Sequence, residues 1–326
     1  MKFVLVLLLI LLLVAGAAAY VLYTPFGPSS EIFVDIPPGT GATAIATLLR
    51  KKGIIRSRYA FALLRLQKGG TFKAGEYRFD HPVLPDEVYS RLVQGDVYTV
   101  TLTVPPGYNI FDIASAVESA GFVKRDVFLD AERQHTELIA DMFPPESRPE
   151  SLEGYLFPDT YRFSRRAGPL QILTTMVHRF RQEATQLGMT EDIPLTVTMA
   201  SLVEKEVSQD VERPVVAGVF VNRLAKSMPL ATDPTVIYAA LLDDRWRGTI
   251  YASDLQSPSP YNTYKHTGLP PGPIANPGVA ALRAAIHPAQ TDYLYFVSDA
   301  AGHTRFSVDL KEHAQQVQAY REAAKR

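Results

Sequence analysis

The chain has 326 residues, 47% hydrophobic and 21% charged, with a net charge of −1 and no cysteine. That length allows two domains with buried cores, and the near-neutral charge excludes a broad field for nucleic acid. The missing thiols remove disulfides, cysteine nucleophiles and cysteine-based zinc sites, so an oxidising compartment is permitted.

The N-terminus is the most apolar part. Phe3 to Tyr23 carries no charge and has the length needed to cross a bilayer; Lys2 precedes it and no Lys or Arg follows until Arg50. The positive-inside rule then keeps the N-terminus cytoplasmic and exports the rest. Ala17, Ala18 and Ala19 would suit a signal-peptide cleavage site, but the apolar run continues past them to Tyr23, which favours a retained anchor over 1–23.

Residues 24–31 read as a Pro, Gly and Ser-rich linker. A β-type run, Ile32 to Ile36, leads into the turn Pro37-Pro38-Gly39. Helices are expected at Thr43 to Lys52, stopped by Gly53, and after Ser57, ending at Gly69-Gly70. A returning strand follows at Phe72 to Phe79, then a helix at Pro85 to Gln94 closed by Gly95. This small mixed α and β unit covers 32–98. Val104-Pro105-Pro106-Gly107 then copies Ile36-Pro37-Pro38-Gly39 at a shift of 68, and Gly53 maps onto Gly121, so a second strand, turn and helix unit is expected at 100–130.

Pro144 to Glu150 is a break before the aromatic run Leu152 to Tyr161, which suits either a loop lining a cleft or a buried turn. Further helices are expected at Leu170 to Leu187, Pro194 to Asp210, Pro214 to Lys226 and from Asp233, a natural N-cap. Two stretches rich in Pro, Gly, Asn and Tyr, 259–264 and 268–278, read as a binding surface. Strands at Tyr293 to Ser298 and His303 to Phe306 and a helix at Leu310 to Lys325 finish the chain. The fold class is α+β.

Within Pro194 to Asp210, a rotation of about 100° per residue puts Leu195, Met199, Leu202, Val203 and Val207 on one face. Glu206 falls inside that apolar arc. Glu204 points to the opposite side, where it and Lys205 read as a solvated face. Burial disfavours a charged carboxylate, so Glu206 should hold a proton near neutral pH, as a general acid must. Equally, it could pair with Arg213 or Arg223 and only tie the helix down.

The seven histidines show no ligand spacing and no metal or other cofactor is called for. The chain has no GxSxG elbow, and PPGTGAT lacks the Lys-Ser/Thr of a phosphate-binding loop. What remains is carboxylate chemistry on a sugar-like substrate, with Asp233 as either a partner acid for Glu206 or a helix cap.

LEGYLFPDTY (152–161), MASLVEKEV (199–207), VFVNRL (219–224), TDPTVIYA (232–239), SPYNTY (259–264) and GLPPGPIANPG (268–278) together resemble the YceG-like family of endolytic murein transglycosylases. The likeness runs from about residue 31 to the C-terminus. It implies an inner-membrane enzyme with a LysM-like module at 32–98 and a periplasmic catalytic domain at 99–326. The implied reaction cuts the β-1,4 bond between N-acetylmuramic acid and N-acetylglucosamine in peptidoglycan and leaves a 1,6-anhydro end. It also implies Glu206 as the acid, although Val207 stands where such enzymes carry a hydroxyl residue. Tyr261, Asn262, Thr263, Tyr264, Asp233, Asn222 and Tyr155 are the implied substrate contacts, and a peptidoglycan synthase an implied partner. A two-carboxylate hydrolase and a non-catalytic peptidoglycan-binding scaffold are the alternatives.

Overall fold

Turn residues and apolar spacing divide the chain, described at residues 2–298 and 303–323 of this computed structural model, into two compact units. The first is Met1–Val100 with Arg162–Arg165; the second is Thr101–Tyr161 with Arg166–Arg326.

In the first unit, α1 (Lys2–Tyr23) contains an apolar span, Phe3–Tyr23, with a mean hydropathy of 3.0 and no buried residue. By length and composition it can cross a bilayer. Strand β1 (Ile32–Ile36), helices α2 (Ala42–Lys51) and α3 (Arg58–Lys68), strand β2 (Gly75–Phe79) and helix α4 (Pro85–Gln94) follow. β1 and β2 pair antiparallel, Ile32 opposite Phe79 and Ile36 opposite Gly75. Alternation then turns Val34, Ile36, Tyr77 and Phe79 inward against Ile45, Leu49, Val88 and Leu92. The Ser57 side chain accepts from the Ala60 N–H at 3.3 Å and so starts α3.

Next comes β3 (Val100–Thr103), the repeated turn and α5 (Ile110–Ser119). Gly39 and Gly107, at matching places in the two turns, have φ of 79° and 84°, a region that Cβ disfavours. Asn109 caps α5 by accepting from the Phe111 and Asp112 N–H groups, both at 2.9 Å. Helix α6 (Arg125–Gln134), a 3₁₀ turn (Thr136–Met142), strand β4 (Thr160–Phe163), which pairs with β3, and α7 (Pro169–Gln186) lead to the core helix α8 (Ile193–Glu206). Helices α9 (Arg213–Ala225), α10 (Asp233–Leu242) and α12 (Val279–Ile286) pack against it, and the short α11 (Ala252–Leu255) packs on α10. An antiparallel pair, β5 (Tyr295–Ser298) and β6 (Thr304–Ser307), and helix α13 (Leu310–Ala323) close the chain. The result is a helix-rich α+β fold with three two-stranded sheets among the described residues.

Several expectations need correction. α8 is not a helix with one apolar face: Val197 to Val203 are all buried, because neighbours cover it on every side. Leu195, placed on the apolar face by periodicity, is 56% exposed. The helix stops at Glu206 rather than Asp210, since Val207 is already extended at φ −136°. Pro273 to Gly278 is buried rather than a surface loop, whereas Leu152–Phe157 meets both readings given for it, a buried turn whose Glu153 and Tyr155 line a cleft. Gly154, at φ 88°, lies so close to Pro273 and Val197 that a Cβ would meet them at 2.5 and 2.7 Å. α6, the 3₁₀ turn, α11 and α12 were not expected. Ala324 and Lys325, in the expected last helix, lie outside the described residues.

Candidate active site

The end of α8 carries two carboxylates with opposite surroundings. Glu204 has a buried side chain, 6% exposed, and pairs with Arg213 at 2.9 Å. Its other oxygen accepts the Gly278 N–H at 3.0 Å, at the N-cap of α12, where a helix dipole favours an anion. Lys205 next to it donates to the Gly107 carbonyl at 3.2 Å. The solvated face expected for Glu204 is therefore a closed junction. Simple periodicity erred because it left out α12, which covers that side.

Glu206, the last residue of α8, is half-buried. No described cation lies within ion-pair distance of it: Arg213 is taken by Glu204 and Asp210. Arg223 donates to the carbonyls of Leu294 and Leu230 at 2.7 and 2.6 Å. Burial pushes the Glu206 carboxyl up to about 7; the Asp233 charge adds to the rise and Arg223 opposes it. The negative end of the α8 dipole acts in the same direction as burial.

Asp233 is the first residue of α10, with Thr232 in the N-cap position, so the capping role expected for Asp233 is not what holds it. Its carboxylate accepts the Tyr264 hydroxyl at 2.7 Å. Tyr264 feels the charges of both Asp233 and Glu206, which brings Glu206, Asp233 and Tyr264 into one cluster. Tyr264 is 40% exposed, and Asp233 is exposed as well, so the cluster opens to solvent.

The other sequence-predicted residues have different roles, and they do not all gather there: Tyr155 lies by the N-terminal half of α8, not at its Glu206 end. Tyr261 is half-buried against Tyr238, ring centres 5.1 Å apart. Asn262 is fully buried; its amide donates to the Leu255 and Ser257 carbonyls and its oxygen accepts the Tyr264 N–H at 3.1 Å, which fixes the turn that presents Tyr264. Thr263, also buried, bonds Thr235 at 2.9 Å and the Thr232 N–H at 3.1 Å, tying the same turn to the start of α10. Asn222 donates to the Thr291 and Tyr293 carbonyls and braces α9 against the approach to β5. Tyr155 is buried between Phe143 and Phe180. It lines a cleft of about 700 Å³ together with Tyr261, Glu153, Thr198 and Pro273.

Two residues of this region were missed by sequence reasoning. Asn276, fully buried, donates to the Tyr108 carbonyl and to Glu153 at 3.0 and 2.8 Å and accepts the Leu156 N–H at 2.8 Å. Glu153 also accepts the Ile110 N–H at 2.9 Å, yet burial pushes it up to about 8. Both sit inside quoted motifs, LEGYLFPDTY and GLPPGPIANPG; a polar residue amid apolar neighbours was the available signal. Among the described residues no group of three or more His, Asp or Glu gathers as a metal site.

Fold and site define a mixed α+β protein with a protonatable carboxyl at the end of its core helix and a second acid beside it. The chain belongs to the YceG-like family, which matches residues 34–319. It is 36% identical to the endolytic murein transglycosylase of Bacillus subtilis (strain 168), over 89% of this chain and 85% of that protein. It is 30% identical to the endolytic murein transglycosylase of Streptococcus pneumoniae serotype 2, over 88% of this chain but only 58% of the relative's length. A 2.6 Å crystal structure of a yceG-like protein from Listeria monocytogenes has a TM-score of 0.57 at 33% identity, covering 88% of this chain and 99% of that one.

Proposed function

We propose that this chain is a membrane-anchored endolytic murein transglycosylase with Glu206 as its single acid and base. The observation that carries the reading is a half-buried carboxyl, raised to about 7 and held by no described cation, at the open edge of the core helix. The named activity of the relatives supplies the substrate class, peptidoglycan.

In this reading, protonated Glu206 gives its proton to the oxygen of the β-1,4 bond between N-acetylmuramic acid and N-acetylglucosamine as that bond breaks. The resulting carboxylate takes the proton of the muramyl C6 hydroxyl, whose oxygen bonds to C1. The anhydro ring closes, no water is consumed, and Glu206 is protonated again. A pKa near the working pH suits a group that must serve as acid and then as base. Tyr264 and Asp233 are the groups that meet the sugar, and Tyr261 offers a ring face for stacking. Asn262, Thr263, Asn222 and Tyr155 act by shaping the walls, since their polar atoms or rings are engaged with protein. Residues 32–98 would be the LysM-like module, α1 a retained anchor in the cytoplasmic membrane, and residues 99–326 the periplasmic catalytic domain.

One observation favours a second reading: the Asp233 charge acts on Glu206, as in a two-carboxylate hydrolase. Mass spectrometry of sacculi digested by the full chain separates the two. Anhydro ends, one water lighter than reducing ends, are expected. Reducing ends would replace the proposal with hydrolysis, and no cleavage at all would leave a binding scaffold.

A further inference from the structure

The outward face of α3 does not suit water. On a helix turning about 100° per residue, Ala62, Leu66, Tyr59 and Leu63 fall within an arc of roughly 100°. All four are exposed, Tyr59 by 68%, Leu63 by 44% and Leu66 by 84%. The core side of α3 is already satisfied by Phe61 and Leu64, which are 1% and 8% exposed. The helix is therefore apolar on two opposite sides, and among the described residues only one of them is packed against the core.

Both ends of α3 are fastened to the residues around the exit of α1. Just before α3, Arg56 donates to the Thr24 carbonyl at 3.1 Å and to the Tyr20 hydroxyl at 3.3 Å, with its guanidinium over the Tyr20 and Phe26 rings at 4.6 and 4.8 Å. At the other end, Lys68 pairs with Asp86 in the first turn of α4. The chain entering that turn is bridged at Val83 to Phe26 by backbone bonds of 3.0 and 3.1 Å. Tyr20 and Tyr23, 57% and 76% exposed, form the last turn of α1, where aromatic residues mark a membrane boundary.

Charge agrees with the same placement. Between Asp35 and Glu76 there is no acid, while Arg50, Lys51, Lys52, Arg56, Arg58, Arg65, Lys68 and Lys73 are all basic. A basic segment next to a spanning helix is drawn to anionic headgroups, and an amphipathic helix there buries its apolar side at the acyl boundary.

We infer that the first unit rests on the bilayer surface at the exit of α1, with Tyr59, Leu63 and Leu66 of α3 in the headgroup layer of an anionic membrane. This rests on the reading of α1 as a retained anchor. The seating holds the module flat against the membrane surface instead of free on a tether.

Because the chain lacks cysteine, Leu66→Cys, Leu12→Cys and Val211→Cys each give one labelling site in the full-length protein. An environment-sensitive fluorophore at each is challenged with acrylamide, a neutral aqueous quencher, in phosphatidylglycerol–phosphatidylethanolamine vesicles and in phosphatidylcholine vesicles. The expected result is a Leu66 label shielded severalfold relative to Val211 in the anionic vesicles. That shielding should fall in phosphatidylcholine, in about 0.5 M salt, and in the Arg58→Gln/Arg65→Gln variant. A Leu66 label as open as Val211 while the Leu12 label stays shielded would overturn the seating and leave the anchor standing. An open or proteolytically lost Leu12 site would instead remove the anchor reading, and the seating with it. If shielding of Leu66 in phosphatidylcholine requires added chito-oligosaccharide, the face is a glycan platform and the membrane assignment is wrong. That sugar would enter the cavity of about 270 Å³ lined by Tyr59, Phe61, Arg65 and Phe72.

Discussion

Glu204 and Glu206 stand two residues apart at the end of one helix, yet they differ in nearly every respect that matters for function. Glu204 sits in a closed junction, paired with Arg213 and bonded to the Gly278 N–H. Glu206 is half-buried beside the exposed Asp233 and Tyr264, has no described cation to hold it, and is raised to about 7. A buried carboxylate becomes structural when its charge is compensated, and chemically useful when it is not.

Exchanging one carboxyl for its amide at each position tests that contrast directly. Glu206→Gln should lower turnover by about 10² to 10⁴-fold without lowering the denaturation midpoint, measured by anhydro-product release beside urea unfolding. Glu204→Gln should reverse the pattern. Breaking a buried pair by removing one partner costs about 3–5 kcal/mol, so the unfolding midpoint should fall sharply. If instead Glu204→Gln abolished activity in a protein of unchanged stability, the roles assigned to the two would have to be swapped.

The raised carboxyls also give stability a pH dependence of defined sign. Glu153 and Glu206 rise from an ordinary 4.5 to about 8 and about 7 in the folded chain. Between 4.5 and those values the folded state binds more protons than the unfolded state, so stability falls as pH rises through the window. Glu153→Gln should flatten that fall, measured as the urea midpoint at a series of pH values, and should do so without removing activity. A wild-type midpoint that rose steadily over the same window would contradict the assignment.

The smallest expected effect belongs to Asp233. Its negative charge raises Glu206, so Asp233→Asn should let Glu206 lose its proton more easily. The alkaline limb of the pH–rate profile should then move to lower pH, by less than about one unit for a single solvent-accessible charge. Complete loss of turnover at every pH would favour the two-carboxylate hydrolase instead.

The sequence by itself determined much of the local structure: the apolar span of α1, the two Pro-Pro-Gly turns with left-handed Gly39 and Gly107, the Ser57 start of α3 and the bounds of α4 at Pro85 and Gln94. These follow from spans of about 20 residues or fewer, where turn chemistry and local spacing suffice. Phase also put Glu206 among buried neighbours, where it is half-buried, but the same phase misplaced Leu195 and Glu204. What only the tertiary structure decided is which polar residues are covered, because burial depends on partners far along the chain. α12 joins 74 residues downstream to close over Glu204, and Asn276 reaches Glu153 across a separation of 123. A period read along one helix cannot say what will pack against its other side.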